Sequence, residues 1–201
     1  MTTALLSSAY CAPVQWFQKL NRYDRVLIEQ HDNFRKQTYR NRCVIATANG
    51  TQALTIPVEN TAGGKCLMRD VRVSDHGNWR RLHWNALATA YGDSPFFDYY
   101  ADDLHPMYVR KYDFLLDFNM EMTRLLCQLL DVRSQVELTT AYTAEAENDF
   151  RDVIRPKHPV TDDGFVPRRY YQVHGAARGF IPNLSVLDLL FNMGNEAIFY
   201  L

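Results

Sequence analysis

The sequence predicts an α/β domain. It would span residues 1–201 as one unit, with a mixed, partly parallel sheet built on an N-terminal βαβ unit and helices on both faces. Three observations carry this reading. An apolar stretch over 5–10 runs into Cys11-Ala12-Pro13, a short helical segment over 14–20 and a second apolar stretch over 26–30. Strand, helix and strand in that order make a crossover between parallel strands, which is right-handed in nearly all proteins. Asn49-Gly50 between two apolar runs is a type I′ hairpin signal. Residues 78–91 repeat apolar side chains at helical spacing: Trp79, Leu82, His83, Ala86, Leu87 and Ala90. The loop after the first strand then lies at the carboxyl edge of a parallel sheet, where open α/β folds bind ligands.

The remaining elements follow in order. Leu54, Ile56 and Val58 alternate, so the returning strand of the hairpin buries one face. Residues 61–65 read as a loop and 66–69 as a short strand. Gly92 suits the end of the 78–91 helix. Ser94 and Pro95 suit the cap and first position of the next helix. Residues 106–130 keep an apolar stripe through Tyr108, Tyr112, Leu115, Phe118, Met122, Leu125 and Leu129, which predicts one long helix. A strand over 136–140 and a short helix over 144–150 follow. Three prolines and Asp162-Asp163-Gly164 make 155–167 a loop. Residues 183–194 predict a helix, with Ser185 and Asp188 as a capping box and Gly194 as its stop. The chain ends on a predicted strand over 197–201.

Composition narrows the function classes. A net charge of −1 with 22% charged residues gives no bulk basicity for a nucleic-acid partner. No apolar run approaches the roughly 20 residues a membrane span needs. The N-terminus lacks the basic region of a signal peptide. Cys11, Cys43, Cys66 and Cys127 show no metal-ligand spacing, so the expectation is four reduced thiols, no metal site and a cytoplasmic location. No residue pattern specifies a cofactor.

Two clusters carry chemistry. Residues 34–42 interleave Arg35, Lys36, Arg40 and Arg42 with Phe34 and Tyr39. Guanidinium forks match phosphate and carboxylate, and aromatic faces stack on rings. A solvated connector has the same composition. Tyr170, Tyr171, Gln172 and His174 with Arg168, Arg169 and Arg178 form a second polar-aromatic cluster, equally compatible with a wet surface loop. His31-Asp32 offers a base. Ser7 and Ser8 lack the flanking glycines of a hydrolase elbow.

Three stretches together resemble the WbqC-like family of bacterial proteins. They are Tyr10, Pro13, Trp16, Phe17, Lys19 and Leu20 with Gln37, Tyr39, Arg40, Asn41 and Arg42; Trp79, Leu82, His83, Trp84, Leu87 and Tyr91; and Tyr170-Tyr171-Gln172-Val173 with the run 179–194. The resemblance implies a cytoplasmic transferase of surface-polysaccharide (O-antigen) biosynthesis, moving an amino-acyl or acyl group onto an activated sugar. Members commonly open on His-Gln-Pro; the matching stretch here is Leu6-Ser7-Ser8-Ala9-Tyr10, without His or Gln. The opening is also similar to nucleotidylyltransferases in the position of Pro13, but their two histidines are missing.

The site expected from these residues has His31 or Asp32 as base. Tyr10, Tyr39 and Tyr171 would stack on a ring. Arg40 and Arg42 would hold an anion, Gln15, Asn41 and Gln172 would orient polar groups, and Ser185 would cap a helix whose N-terminus attracts the same anion. Arg40, Asn41 and Arg42 are expected near Gln172 and the turn at 181–185. The expected partner is a small molecule, with a nucleotide-sugar the leading candidate. A non-catalytic nucleotide- or sugar-binding accessory protein and a nucleotidyltransferase-like enzyme are the alternatives.

Overall fold

The computed structural model describes residues 1–60, 64–157 and 160–201. It is a mixed α/β fold. Strand β1 (Thr3–Ser7), helix α1 (Val14–Arg22) and strand β2 (Arg25–Glu29) form the expected unit, with β1 and β2 paired in parallel. Pro13 precedes α1 with an extended backbone, and Val14, Trp16, Phe17 and Leu20 give the helix its buried side. Strand β5 (Gln135–Leu138) adds in parallel to the far side of β2. Leu5 also pairs in parallel with Asp149 on the near side of β1. The spatial order is therefore 149, β1, β2, β5. Ala4, Leu6, Val26 and Ile28 alternate into the core.

A separate hairpin holds β3 (Arg42–Thr47) against β4 (Gly50–Thr55). The hairpin is present, but its turn is not type I′. Ala48 and Asn49 are the two loop residues, and only Gly50 takes a positive φ, at 123°. Helices α2 (Trp79–Tyr91), α3 (Phe97–Val109) and α4 (Leu115–Leu129) follow. Then come a single turn, α5 (Gly175–Arg178), and α6 (Val186–Met193), capped by Ser185 and ended at Gly194 with φ 56°.

Several expectations fail for non-local reasons. The helix over 106–130 is two helices. The Val73 N–H donates to the Asp113 carbonyl and the Leu115 N–H to the Val71 carbonyl, so extended pairing takes the backbone between them. Pro106 lies in the last turn of α3 rather than starting a helix. Residues 144–150 form no helix, because Leu5 bonds the Asn148 carbonyl and Phe150 bonds the Leu5 carbonyl. Residues 66–69 hold one bridge, Asn33 to Leu67, and a 3-10 turn at Met68–Asp70. The chain ends in a 3-10 helix, Gly194–Tyr200, not a strand. Ser94 caps nothing; its hydroxyl donates to the Tyr91 carbonyl and α3 starts two residues after Pro95. Leu82, placed by its spacing on the buried stripe of α2, is 60% exposed. The 61–65 and 155–167 loops lie partly outside the described residues. No helix among the described residues is long and apolar enough to cross a membrane.

All four cysteines are free thiols, and Cys11, Cys43 and Cys127 are buried. Burial pushes the Cys127 thiol up to about 12, so it is a poor nucleophile at neutral pH. Titration of the denatured, unreduced protein should find four thiols. Two would mean that a bond has formed between Cys residues that this structure shows reduced.

Candidate functional site: a cleft at the carboxyl edge

From β1 the chain crosses to β2 on one side, while the 148–150 segment pairs on the other. The carboxyl end of β1 is thus a point where connections diverge, the position that forms a crevice in open α/β sheets. A cleft occupies that point. It is lined by Ser7, Ser8 and Ala9 after β1, by Trp16, Thr38 and Tyr39, and by Phe150 to Asp152 with Ile154 and Arg155. Its volume is about 100 Å³. Four arginines border it, Arg35, Arg40, Arg151 and Arg155, against one lining carboxylate, Asp152.

Carboxylates behind or beside the cleft fix three of these cations. Arg40 is 5% exposed and pairs with Asp32. Arg35 pairs with Asp152 at 2.6 Å, both side chains being largely exposed. Arg151 pairs with Asp149 at 2.6 Å and lies 3.6 Å from Glu29. Among the described residues Arg155 has no carboxylate partner. Among the described residues Ser7 Oγ, Arg40 Nε and Arg155 Nε of the lining, with Asp32 Oδ1 and Asn119 Oδ1 beside it, are buried without a hydrogen-bond partner.

Two residues missed by sequence reasoning hold this geometry. Asn119 of α4 is buried, and its amide donates to Ser8 Oγ at 2.9 Å and to the Arg40 carbonyl at 2.8 Å. Glu29, at the carboxyl end of β2, is fully buried. It accepts from Thr139 Oγ1, the His31 N–H and the Thr143 N–H, each at 2.8–2.9 Å. A carboxylate closing an apolar strand was a visible signal for Glu29; nothing in the sequence marks Asn119.

The expected site residues divide. Tyr39 and Arg40 line the cleft. Burial holds the Tyr39 phenol above its ordinary range. His31 and Asp32 border the adjoining hollow with Asn33, Arg35 and Tyr142, about 340 Å³ in volume. His31 has both ring nitrogens engaged, Nε2 to the Thr139 carbonyl at 3.2 Å and Nδ1 to Arg69 at 3.3 Å. The others go elsewhere. Tyr10 is fully buried, its hydroxyl bonded to His83 Nδ1 at 2.9 Å and to Tyr108 at 3.0 Å, so it is a core residue and not a stacking platform. Asn41 donates to the Ile56 carbonyl and Arg42 to Thr55 Oγ1, both on the hairpin. Gln15 bonds Asp162 at 2.8 Å beside the buried Lys19–Asp162 pair at 2.7 Å. Burial works to raise the Asp162 carboxyl, but Lys19 and Gln15 win and hold it low. Tyr171 is exposed.

Gln172 does lie against the 181–185 turn, clamping Ile181 through both amide atoms at 2.9 Å. The arginines do not join it there; their bonds run to Asp32 and Thr55. Nor is the N-terminus of α6 open. Ser185 donates to the Cys11 carbonyl, the Val186 N–H goes to the Ala12 carbonyl, and the Leu187 N–H goes to Ser185 Oγ. The N-terminus of α1 faces it and is equally spent, on the Leu184 carbonyl and Asn183 Oδ1. Asp188, expected to complete a capping box, turns inward to Tyr91, Tyr170 and Gln172. Among the described residues no group of three or more His, Cys, Asp and Glu has the geometry to hold a metal ion.

Fold and cleft define an α/β protein with an arginine-lined crevice at the carboxyl edge of a parallel sheet. The chain belongs to the WbqC-like protein family, whose model matches residues 8–158. That span includes the whole lining of the cleft except Ser7, whereas the 170–194 motif lies beyond it. The chain is also 27% identical to the uncharacterized protein Rv1507c of Mycobacterium tuberculosis, over 98% of this chain and 96% of that one. The alignment runs to 228 positions, more than the 201 residues here, so the relative carries insertions. No solved structure matches.

Proposed function

We propose that this protein is a cytoplasmic transferase of bacterial surface-polysaccharide biosynthesis that moves an amino-acyl or acyl group onto an activated sugar held at the cleft. The observation that supports it is the arginine-lined crevice at the diverging connections of the sheet. Asp32 is the base. Arg40 fixes its Oδ2, and its Oδ1 is unpartnered. A sugar hydroxyl or amine gives its proton to the Asp32 carboxylate as it attacks the carbonyl carbon of an acyl thioester or ester. The new C–O or C–N bond forms, and the leaving group departs with the electron pair of the bond it loses.

One observation favours a non-catalytic binding protein instead. His31 is pinned at both nitrogens and Asp32 is ion-paired, so no base is wholly free. The spent N–H groups at the start of α1 count against a nucleotidyltransferase-like phosphate site there. A thermal-shift screen against nucleotide-sugars, acyl-CoAs and aminoacyl donors, followed by mass spectrometry of the products, separates the readings. The transferase reading expects a sugar ligand, a donor and an acylated product, with Asp32→Asn losing turnover and keeping sugar binding. Binding without turnover by the wild type would leave the accessory reading. No shift from any class would remove both.

A further inference from the structure

We infer that the chain pairs with a second copy of itself through a twofold contact, in which a basic face of each copy meets an acidic face of the other. None of the residues involved lines the cleft.

Charge is segregated along the sequence. Residues 164–187 hold Arg168, Arg169 and Arg178 and no carboxylate, whereas residues 82–109 hold Asp93, Asp98, Asp102 and Asp103 and no lysine or arginine. All seven side chains belong to exposed residues, and none enters an ion pair among the described residues. Two of the arginines are steadied by backbone carbonyls. Arg178 donates to that of Ala48 at 2.8 and 2.9 Å, and Arg168 to that of Phe199. A guanidinium has five N–H donors, so each keeps donors for a carboxylate fork. Large apolar side chains stand among these charges. Tyr171 is 56% exposed, and Tyr99 of α3 and Phe199 are each 71% exposed. Exposed apolar groups rimmed by polar ones mark contact surfaces, and tyrosine, phenylalanine and arginine are enriched there.

Placement makes the surface self-complementary. Both faces border one segment, Gly194–Tyr200. On the acidic side Tyr100 of α3 donates to Asn195 Oδ1 at 3.1 Å. On the basic side Arg168 reaches the Phe199 carbonyl, and the Tyr170 and Tyr200 rings lie 5.8 Å apart. Asn195 and Phe199 are four residues apart, about 8 Å along a 3-10 helix. A twofold axis near Phe199 therefore sets each arginine face over the aspartate face of the other copy and makes the same contact twice. Other registers bring like charges together, which fixes the pairing.

Sedimentation equilibrium tests this. In about 0.1 M salt the wild type should be a dimer with no larger species. In about 1 M salt, where the Debye length falls from about 10 Å to about 3 Å, the dimer should weaken about tenfold or more. Arg168→Glu with Arg169→Glu should be monomeric, and so should Asp102→Lys with Asp103→Lys. Mixed one to one, the two variants should pair, because one then carries two acidic faces and the other two basic ones. Asp102 and Asp103 are exposed on α3 and lysine is a good helix former, so the lysine variant keeps the fold. Should the double glutamate variant unfold, Arg169→Glu alone takes its place; that side chain lies over the Phe180 ring, 5.9 Å from its centre, and holds no carbonyl. The inference falls if the wild type is monomeric in low salt, if the lysine variant dimerises like the wild type, or if the folded variants do not pair on mixing. A monomeric wild type that binds an acidic peptide through Arg168 and Arg169 would give the basic face another occupant and remove the second copy.

Discussion

Asp188→Ala should lower the unfolding free energy by about 3 kcal/mol or more, because three buried donors lose their acceptor and each group left unsatisfied costs about 1–3 kcal/mol. Asp188 is fully buried in the first turn of α6. Its Oδ1 accepts from Tyr91 at 3.0 Å, and its Oδ2 accepts from Tyr170 at 2.7 Å and Gln172 at 2.8 Å. Burial raises its carboxyl above the usual range, and the three donors oppose that shift without cancelling it. Alanine would leave two phenols and an amide facing a void that water does not reach, and Gln172 would lose one of the bonds that steady its clamp on Ile181. Against a typical total of about 5–15 kcal/mol, that loss leaves the chain marginal. Asp188→Asn keeps the volume and one acceptor oxygen, so it should cost less. Urea melts with an unchanged slope and a shifted midpoint would report it. A loss below about 1 kcal/mol for the alanine variant, the worth of one ordinary hydrogen bond, would show that the three donors find other partners.

The sequence carried the parts of the fold that are local. Two apolar runs around Pro13 marked the parallel pair, and Gly50 supplied the one positive φ the hairpin turn needs. What failed was decided across the chain. Nothing near residue 110 reveals that Val71 and Val73 will take its neighbours' backbone bonds, and nothing near 148 reveals Leu5. The site shows the same division. Alternating cations and aromatics made the 34–42 loop a candidate, and Arg35, Tyr39 and Arg40 do line the cleft. Its other wall, with Arg151 and Arg155, arrives from more than a hundred residues away. Tyr10 misled because its partners in the core, His83 and Tyr108, lie more than seventy residues away, and nothing near residue 10 reveals them.

The second large effect is acid sensitivity centred on His83. Its ring lies 5.6 Å from Tyr10 in a stacked arrangement and 5.1 Å from Trp79 edge-on. Burial lowers its pKa from 6.5 to about 4, and a backbone bond at Thr55 offsets only part of that. The Tyr10 hydroxyl lies 2.9 Å from Nδ1, and on protonation both ring nitrogens must donate. The sign follows from linkage. In the unfolded chain the imidazole gains its proton near 6.5; in the fold it stays neutral until about 4. Its contribution to stability is therefore full above pH 6.5 and is lost as pH falls from 6.5 to 4. At 1.36 kcal/mol per unit this comes to about 3 kcal/mol. The phenols of Tyr10 and Tyr108 and the Cys43 thiol around it are all pushed upward by burial, so none titrates in that window. Asp75, held at about 2 by hydrogen bonds from Lys111 and Arg80, loses its contribution only below the window. Asp188 acts in the opposite sense, because a raised carboxyl favours the fold as pH falls. The comparison must therefore be a difference. Wild type and His83→Gln should be melted in urea across pH 7 to 4, and the wild type should lose about 3 kcal/mol more than the variant over that interval. Parallel curves for the two proteins would remove His83 as the acid-sensitive group.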